Sequence, residues 1–406
     1  MAQDIRELNR NAVLTELLNH RPTTRKQIAE STGISAATVT RAIDQLILDG
    51  VVCEVSEVVV EYRGRRAILL DLVADTSLVI GIDLGASNTR MIATDLLATP
   101  VVAVEIPTPT SLGPTELALW LADQARALMG DHWARVAAVS LGLPGAVSQI
   151  DRSVSNAPNL QQVEDPTFLT VCELAIGLPV HADNDANLAL LGELRFGAAR
   201  QTPYAAMLTL GAGLGVGIAI DGAILHGRHG LVGEFGQIPV GPTGERLESF
   251  TTGPGLIQRA ATAGIELSSP ADLFCRKGDA DTSDRIGRLR DEFDHALVTV
   301  LTAISVSSEP ETIVLGGGIA KSLTASLSRY QALLQQTIRI APTLAWVELG
   351  DYSGAAGGVV AALHAVYLGL GVEASALSTL PKSHALTLES LQNILTGAVE
   401  GAIIAR

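Results

Sequence analysis

Aromatic side chains are scarce in this sequence: Phe, Trp and Tyr together make up 3% of 406 residues. The cores must therefore be built from Ala, Val, Leu and Ile, within a hydrophobic content of 47%. Charge is scarce as well, at 17% against the ~25% usual for soluble domains. That excludes a disordered chain and implies a large buried area. Three cysteines, Cys53, Cys172 and Cys275, lie far apart. They exclude a disulfide framework and offer no pair at metal-ligand spacing. The first ten residues, MAQDIRELNR, lack an apolar signal core, so a reducing cytoplasm is the expected location.

Positive charge is also short. The formal net charge is −15, which excludes a broadly basic nucleic-acid-binding surface. The imbalance is uneven, however. Residues 1–70 hold nine basic and nine acidic side chains, so the whole deficit lies in the remainder. The length suits two or three domains.

One long run needs a membrane test. Tyr352 to Val372 carries His364 and no Asp, Glu, Lys or Arg, and its length approaches a membrane span. It also contains Gly354, Gly357, Gly358, Gly369 and Gly371 and lacks a flanking basic cluster. A buried helix in a large α/β body is the expected outcome, with no membrane partner.

The N-terminal segment has ordered signals. A helix is predicted over Ile5 to Leu18, with Leu14, Leu17 and Leu18 on one stripe, ended by Arg21-Pro22. Thr24 with Gln27 three residues later forms a capping box for a second helix, which stops at Gly33. Ser35 caps a third helix, whose buried face is Val39, Ile43 and Leu46 and whose end is Gly50. Two β-rich runs follow, Val51–Val60 and Ala67–Val73, around the tip Tyr62-Arg63-Gly64-Arg65-Arg66. This order is that of a winged helix-turn-helix. Arg25, Ser35, Ala37, Thr38, Thr40 and Arg41 are then candidates for major-groove and backbone contacts, and Arg63, Arg65 and Arg66 for a narrow minor groove. A small helical protein-interaction domain is the alternative.

The body begins with Leu78–Asp83, a buried strand, then the tight turn Leu84–Thr89 and a return strand, Arg90–Asp95. An Asp closing a strand before small residues suits a metal–phosphate group, with turn amides approaching the oxyanions. Two further glycine clusters follow apolar strands: Gly211-Ala212-Gly213 and Gly316-Gly317-Gly318, the last running into a helix. Each alone is equally a structural turn. Between them lies His181-Ala182-Asp183-Asn184-Asp185-Ala186-Asn187, ahead of an apolar helix. Its amides and carboxylates suit sugar hydroxyls, and Asp185 suits a general base. Helix capping by Asp183 or Asn184 is the alternative. Gly233-Glu234-Phe235-Gly236-Gln237 adds a carboxylate and an amide on a glycine-flanked loop.

Taken together, these motifs resemble the ROK family (repressors, open reading frames, kinases), in its repressor arrangement with an N-terminal winged helix. The resemblance runs from Thr24 to about Gly369. It implies an α/β fold: a winged helix-turn-helix over 1–74, then a two-lobed actin-like (ribonuclease H-like) sugar kinase fold over 77–370, leaving 371–406 as a C-terminal extension. It also implies roles for particular residues. Asp83, Gly85, Ser87, Gly211, Gly213, Gly316 and Gly317 would line the phosphate side. Gly142-Leu143-Pro144-Gly145 resembles the family's Gly-x-Pro-Gly turn. Asn159, Asn184, Asp185, Glu234, Gln237 and Glu248 would line the sugar side, with Asp185 as the base if phosphoryl transfer is retained.

Four departures from the family pattern alter what is expected. The signature loop usually ends in a zinc-binding His; here it ends in Gln237. The cysteine-rich zinc loop is replaced by Pro239-Val240-Gly241-Pro242-Thr243-Gly244-Glu245-Arg246-Leu247, so no structural zinc is expected. The usual Gly-Thr-Gly is Gly211-Ala212-Gly213, and the usual Gly-Gly-Thr-Lys is Gly85-Ala86-Ser87-Asn88. Losing a charged hydrogen bond to phosphate costs about 1.5–3 kcal/mol. ATP and Mg are therefore expected only if kinase activity is retained. The sequence reads as a sugar-responsive regulator, most simply a repressor, with operator DNA and a sugar or sugar phosphate as partners and a homodimer or homotetramer as its assembly. The alternative is an ATP-dependent sugar kinase with an accessory DNA-binding domain.

Overall fold

The computed structural model describes residues 2–59, 66–240, 244–275 and 280–396. The N-terminal module holds α1 (Ala2–Asn19), the short strand β1 (Thr23–Thr24), α2 (Arg25–Thr32), α3 (Ala36–Leu48), β2 (Val52–Val59) and β3 (Arg66–Leu72). The predicted capping box is present: Gln27 N donates to the Thr24 hydroxyl, and the Gln27 side chain contacts the Thr24 backbone N–H. Gly33 ends α2 in the left-handed conformation at φ 69°, where glycine carries no Cβ penalty. Ser35 caps α3 by accepting from Thr38 N. Val39, Ile43 and Leu46 are fully buried. The three strands pair antiparallel in the order β1-β3-β2. The wing tip, with Arg63 and Arg65, lies outside the described residues.

A short turn over Ala74–Thr76 leads into two lobes built on the same plan. The first lobe contains β4 (Leu78–Leu84), β5 (Asn88–Asp95), β6 (Pro100–Pro107), α4 (Pro114–Met129), β7 (Val136–Leu143), the small pair β8 (Ala146–Val147) and β9 (Val154–Ser155), α5 (Phe168–Ile176) and β10 (Val180–Asn184). The helix α6 (Asp185–Phe196) crosses to the second lobe. There follow β11 (Ala205–Leu210), β12 (Leu214–Ile220), β13 (Ala223–Ile224), the small pair β14 (Pro239–Val240) and β15 (Glu245–Arg246), α7 (Glu248–Thr251), α8 (Gly253–Thr262), α9 (Asp272–Cys275), α10 (Ala280–Ser308), β16 (Thr312–Gly316), α11 (Gly318–Ser322), α12 (Leu327–Thr337) and β17 (Thr343–Trp346). The chain then returns through α13 (Ser353–Leu370) and ends its described course in α14 (Leu388–Leu395).

Each sheet is an antiparallel meander followed by two parallel strands. The orders are β10-β7-β4-β5-β6 and β13-β12-β11-β16-β17. The parallel strands β4, β7 and β10 of one sheet and β11 and β16 of the other all run toward the cleft. Ligands of open α/β sheets bind at such carboxyl ends. Asp83, Leu143, Asn184, Leu210 and Gly316 stand at or beside these ends, so the motifs spread over the sequence converge there.

The run tested as a membrane span is α13. It is the one described helix long and apolar enough to cross a bilayer, and it is mostly buried inside the protein. It crosses α6 at glycines. A Cβ on Gly357 would lie 1.7 Å from the Leu188 carbonyl oxygen, and one on Gly192 would lie 2.4 Å from that of Ser353. Only hydrogen fits at such a crossing.

One core spans the N-terminal module and the first lobe. Leu14, Leu17, Val39 and Leu70 belong to the same buried cluster as Tyr367, Val372, Leu386 and Leu391. Polar contacts reinforce it. Arg10 Nη1 donates to Leu370 O (2.8 Å), Glu373 N to Thr15 Oγ1 (3.0 Å) and Lys382 Nζ to Asn19 O (3.2 Å). Residues beyond 371 therefore pack between α1 and the lobe. Arg195, at the end of α6, is buried and donates to the carbonyls of Leu380, Gly222 and Leu377. His364 hydrogen-bonds the same Leu380 carbonyl at 2.7 Å.

Candidate functional site

The sugar-side motif turns out to be the junction of β10 and α6. Asn184 is the N-cap of α6: its Oδ1 accepts from Ala186 N (2.9 Å) and Asn187 N (3.2 Å). Its Nδ2 donates to Gly145 O at 2.8 Å, which ties the cap to the turn after β7. Both ends of this amide thus bond backbone, which is the capping role the sequence offered beside a sugar contact. Asp185 is the first residue of α6, and burial first, then Asp183, pushes its carboxyl up to about 6. Opposing that, the Ala186 amide donates to Asp185 Oδ1 (2.7 Å).

Three more carboxylates gather around Asp185. Asp83, near the end of β4, is pushed up to about 7 by burial, then by Asp185; Arg90 opposes and Asp351 adds to the rise. Glu234 is also pushed up to about 7, by burial, then Asp185 and Glu248. Glu248 opens α7, and its Oε2 lies 3.5 Å from where a Cβ on Gly236 would stand. Raised carboxyl groups at close range are a mark of functional clefts. A carboxylate accepts from sugar hydroxyls, and one titrating near neutrality suits proton transfer from a hydroxyl. Asn159 lies across the cleft, its Nδ2 3.8 Å from the Cβ position of Gly213. It also lines an open pocket of about 530 Å³ with Thr110, Pro114, Pro158, Gln161 and Gln162.

The glycine turns differ in what they can offer. The 85–88 turn closes by Gly85 N donating to Asn88 O (3.1 Å). Thr108 braces it, giving its hydroxyl to Gly85 O (2.7 Å) and its N–H to Ser87 O (3.0 Å). Ser87 is exposed. The 211–213 turn closes by Gly211 N donating to Gly213 O (3.0 Å). Gly316 is buried against Met207 and Val347, while Gly317 has φ +92° and a Cβ position only 2.4 Å from Leu210 O. These two glycines serve packing and backbone shape whatever else they contact.

Further contacts hold the site together, two of them through side chains the sequence reading did not single out, His226 and Glu193. Asp183 is buried, and its Oδ1 accepts from Asn184 N (2.7 Å) and Asn187 Nδ2 (3.0 Å). Its Oδ2 lies 2.7 Å from His226 Nε2. Glu193 is fully buried, yet its two oxygens accept from Ala198 N, Glu348 N, Leu349 N and Ser353 Oγ at 2.7 to 3.1 Å. Gln237 is engaged by Arg246, whose Nη1 donates to Gln237 Oε1 at 2.5 Å. The bonds of Asp183 to His226 and of Glu193 to Glu348, Leu349 and Ser353 span 43 to 160 residues, so no local pattern flags them. The zinc that the family resemblance implies does not fit this loop. The donors on offer are one amide and one carboxylate, and no group of three His, Cys, Asp or Glu suited to a metal occurs among the described residues.

The DNA-facing candidates divide in two. Ala37, Thr40 and Arg41 are exposed and Thr38 is half-buried on the first two turns of α3. Arg41 folds back, with Nε donating to Ala37 O (3.2 Å), and Thr40 bonds Ala36 O (2.9 Å). Ser35 is occupied as the cap and pairs its hydroxyl with that of Thr38 at 2.9 Å. Arg25 is clamped inside the module between Asp44 Oδ1 and Glu54 Oε1, both at 3.1 Å. It bridges α2 to α3 and β2 through two exposed ion pairs. Arg66 opens β3 opposite Val59.

These features define a protein class: a winged helix-turn-helix joined to a two-lobed, sugar-kinase-like body. The family model of the ROK family matches residues 79–365, and the chain belongs to that family. A winged helix-turn-helix DNA-binding model matches residues 6–52. The chain is 29% identical over 345 residues to the DNA-binding transcriptional dual regulator NagC of Escherichia coli, covering 78% of this chain and 82% of that protein. It is 28% identical to the xylose repressor of Caldicellulosiruptor bescii, covering 58% of this chain and 59% of that protein. It thus spans about three fifths of that repressor's length. Among solved structures, the ROK hexokinase of Thermus thermophilus aligns with TM-score 0.60 at 28% identity, over 71% of this chain and 99% of that one. A ROK family transcriptional regulator aligns with TM-score 0.71 at 21% identity, over 92% of this chain, a likeness of fold.

Proposed function

We propose that this protein is a sugar-responsive DNA-binding transcriptional regulator, acting as a repressor. The observation that carries the reading is the joining of two modules in one core. An α3 that presents Ala37, Thr40 and Arg41 to solvent is packed, through α1, onto the lobe that bears the carboxylate cleft. A sugar or sugar phosphate binds between the lobes, with Glu234, Glu248, Asp185 and Asn159 as its polar partners. A homodimer or dimer of dimers presents two α3 helices to a two-fold-related operator. Binding the sugar lowers DNA affinity only if the DNA-competent state binds it more weakly. Repressor function in relatives such as the xylose repressor supports the same direction of control.

The test is a mobility shift with fragments from the gene's own neighbourhood, with and without D-xylose, D-glucose and N-acetyl-D-glucosamine. Binding that is released by one of them is expected. No binding to any fragment at low salt sinks the reading.

The pair Asp83 and Asp185 supports a second reading, ATP-dependent phosphorylation of the bound sugar. Both residues stand at the cleft with carboxyls raised toward neutrality. Transfer of labelled phosphate from ATP to sugar, abolished in Asp185→Asn, is its signature. Equal background in both proteins removes it.

A further inference from the structure

The small pair β14–β15 stands where the family resemblance calls for a metal loop, and its residues cannot hold zinc. The structure puts a cation there by other means. Arg246 Nη1 donates to Gln237 Oε1 at 2.5 Å and lies 3.9 Å from Glu248 Oε1. Gln237 closes the loop that carries Glu234, and Glu248 is the other carboxylate of the sugar side. One guanidinium therefore connects two separate segments of the cleft wall. We infer that Arg246 is the positioning residue of the sugar site, a guanidinium bridge that sets Gln237 and Glu248 without any metal. The inference rests on reading the cleft as a sugar site.

The local frame fits this task. Arg246 pairs with Pro239 across the two strands, and Leu247 N donates to Ile238 O at 3.0 Å. Successive strand residues face opposite ways. Glu245 accordingly turns away and takes Arg259 Nη1 at 2.8 Å, while Arg246 turns to Gln237. Arg259 is itself held by Glu292 and lies over the Phe250 ring at 3.9 Å. The next residue, Leu247, is fully buried. The strand is thus anchored behind Arg246, whose side chain, 59% exposed, reaches Gln237 and Glu248 from the solvent side.

The charge balance points the same way. Burial, then repulsion from Asp185 and Glu248, raises the Glu234 carboxyl. A fixed cation beside Glu248 offsets part of that repulsion. It leaves the carboxylates as acceptors for the hydroxyls of a neutral sugar. Arg, with its planar fork, holds an amide oxygen and a carboxylate in one geometry; Lys offers the charge without the fork.

The experiment compares the full-length protein with Arg246→Met, Arg246→Lys, Gln237→Ala and the Gln237→Ala/Arg246→Met double variant. Binding of D-xylose, D-glucose and N-acetyl-D-glucosamine is titrated before and after EDTA treatment. For whichever sugar binds, Arg246→Met is expected to weaken affinity about tenfold or more, with Arg246→Lys between it and the wild type. The double variant should be no weaker than Arg246→Met alone, because the two side chains act as one unit. EDTA should change nothing. Equal affinity in Arg246→Met, additive losses in the double variant, or loss of binding on chelation would each overturn the inference. Hydrogen exchange without sugar separates the two readings. Faster exchange over 234–252 in Arg246→Met is expected, and unchanged exchange there overturns the bridge. A wild type that binds none of the sugars sinks the sugar-site reading and leaves that exchange result standing.

Discussion

His226 Nε2 lies 2.7 Å from Asp183 Oδ2, and this contact joins the two lobes. Asp183 sits on β10 of the first sheet, and His226 follows β13 of the second. The other oxygen of Asp183 holds Asn184 N and Asn187 Nδ2. The pair therefore fixes the turn that presents Asp185.

The hydrogen bond to Asp183, against the opposing effect of burial, raises the His226 imidazole above its ordinary value. A histidine whose folded value is raised contributes stability fully below its unfolded value, about 6.5. That contribution is lost as pH rises through the folded value. The difference in melting temperature between the wild type and His226→Gln should thus be largest near pH 6 and shrink by about pH 9. His181 also interacts with Asp183 and His226, and with Arg152, so the comparison needs His181 and Arg152 left intact. A pH-independent difference counts against the lobe-joining role.

Glu193 predicts a large loss of stability. Four donors converge on its buried carboxylate, from the turn after α6, from residues 348–349 and from Ser353. Glu193→Ala leaves them unpaired and should cost about 3–5 kcal/mol. Urea unfolding measures it. A loss below about 1 kcal/mol means that water replaces the carboxylate.

Gly317 and Gly318 make a matched pair. A Cβ on Gly317 meets Leu210 O at 2.4 Å in a backbone of φ +92°, whereas one on Gly318 meets nothing within 4 Å. Gly317→Ala should destabilise by about 1–3 kcal/mol, and Gly318→Ala by no more than about 0.5 kcal/mol. Equal melting temperatures for the two variants would refute the packing account.

Arg25 and Arg41 separate structure from DNA contact. Arg41 is exposed on α3, so Arg41→Ala should weaken operator binding and lower the salt slope by about 1. Arg25 is held by Asp44 and Glu54, so Arg25→Ala should change that slope less. Mobility shifts over a range of salt decide the order. A larger slope change for Arg25→Ala would return it to the DNA surface.

How much of this was legible in the sequence depended on range. The capping box at Thr24 and Gln27, the Gly33 stop and the Val39, Ile43, Leu46 stripe are local, and each stands where the spacing put it. The body motifs were legible because strand ends are marked by small residues, and Asp83, Asp185 and Glu234 converge as expected. What local pattern could not carry was partnership. Asn184 offered a cap as well as a sugar contact, and its bond to Gly145 O, 39 residues away, was not legible locally. His226, Glu193 and Arg246 find their roles across 43, up to 160 and 9 residues respectively. Arg25 looked like a free cation because its two acceptors lie 19 and 29 residues away.

The helix α6 starts at Asp185 and ends next to Arg195, the side chain that grips the carbonyls of 377 and 380. Those residues touch the end of α1 through Thr379 and Asn19. A twelve-residue helix is a stiff rod about 18 Å long, seated on α13 at both Leu188 and Gly192. One rigid element therefore has the carboxylate cluster at its start and, at its far end, the segment fastened to the helix from which the DNA module hangs.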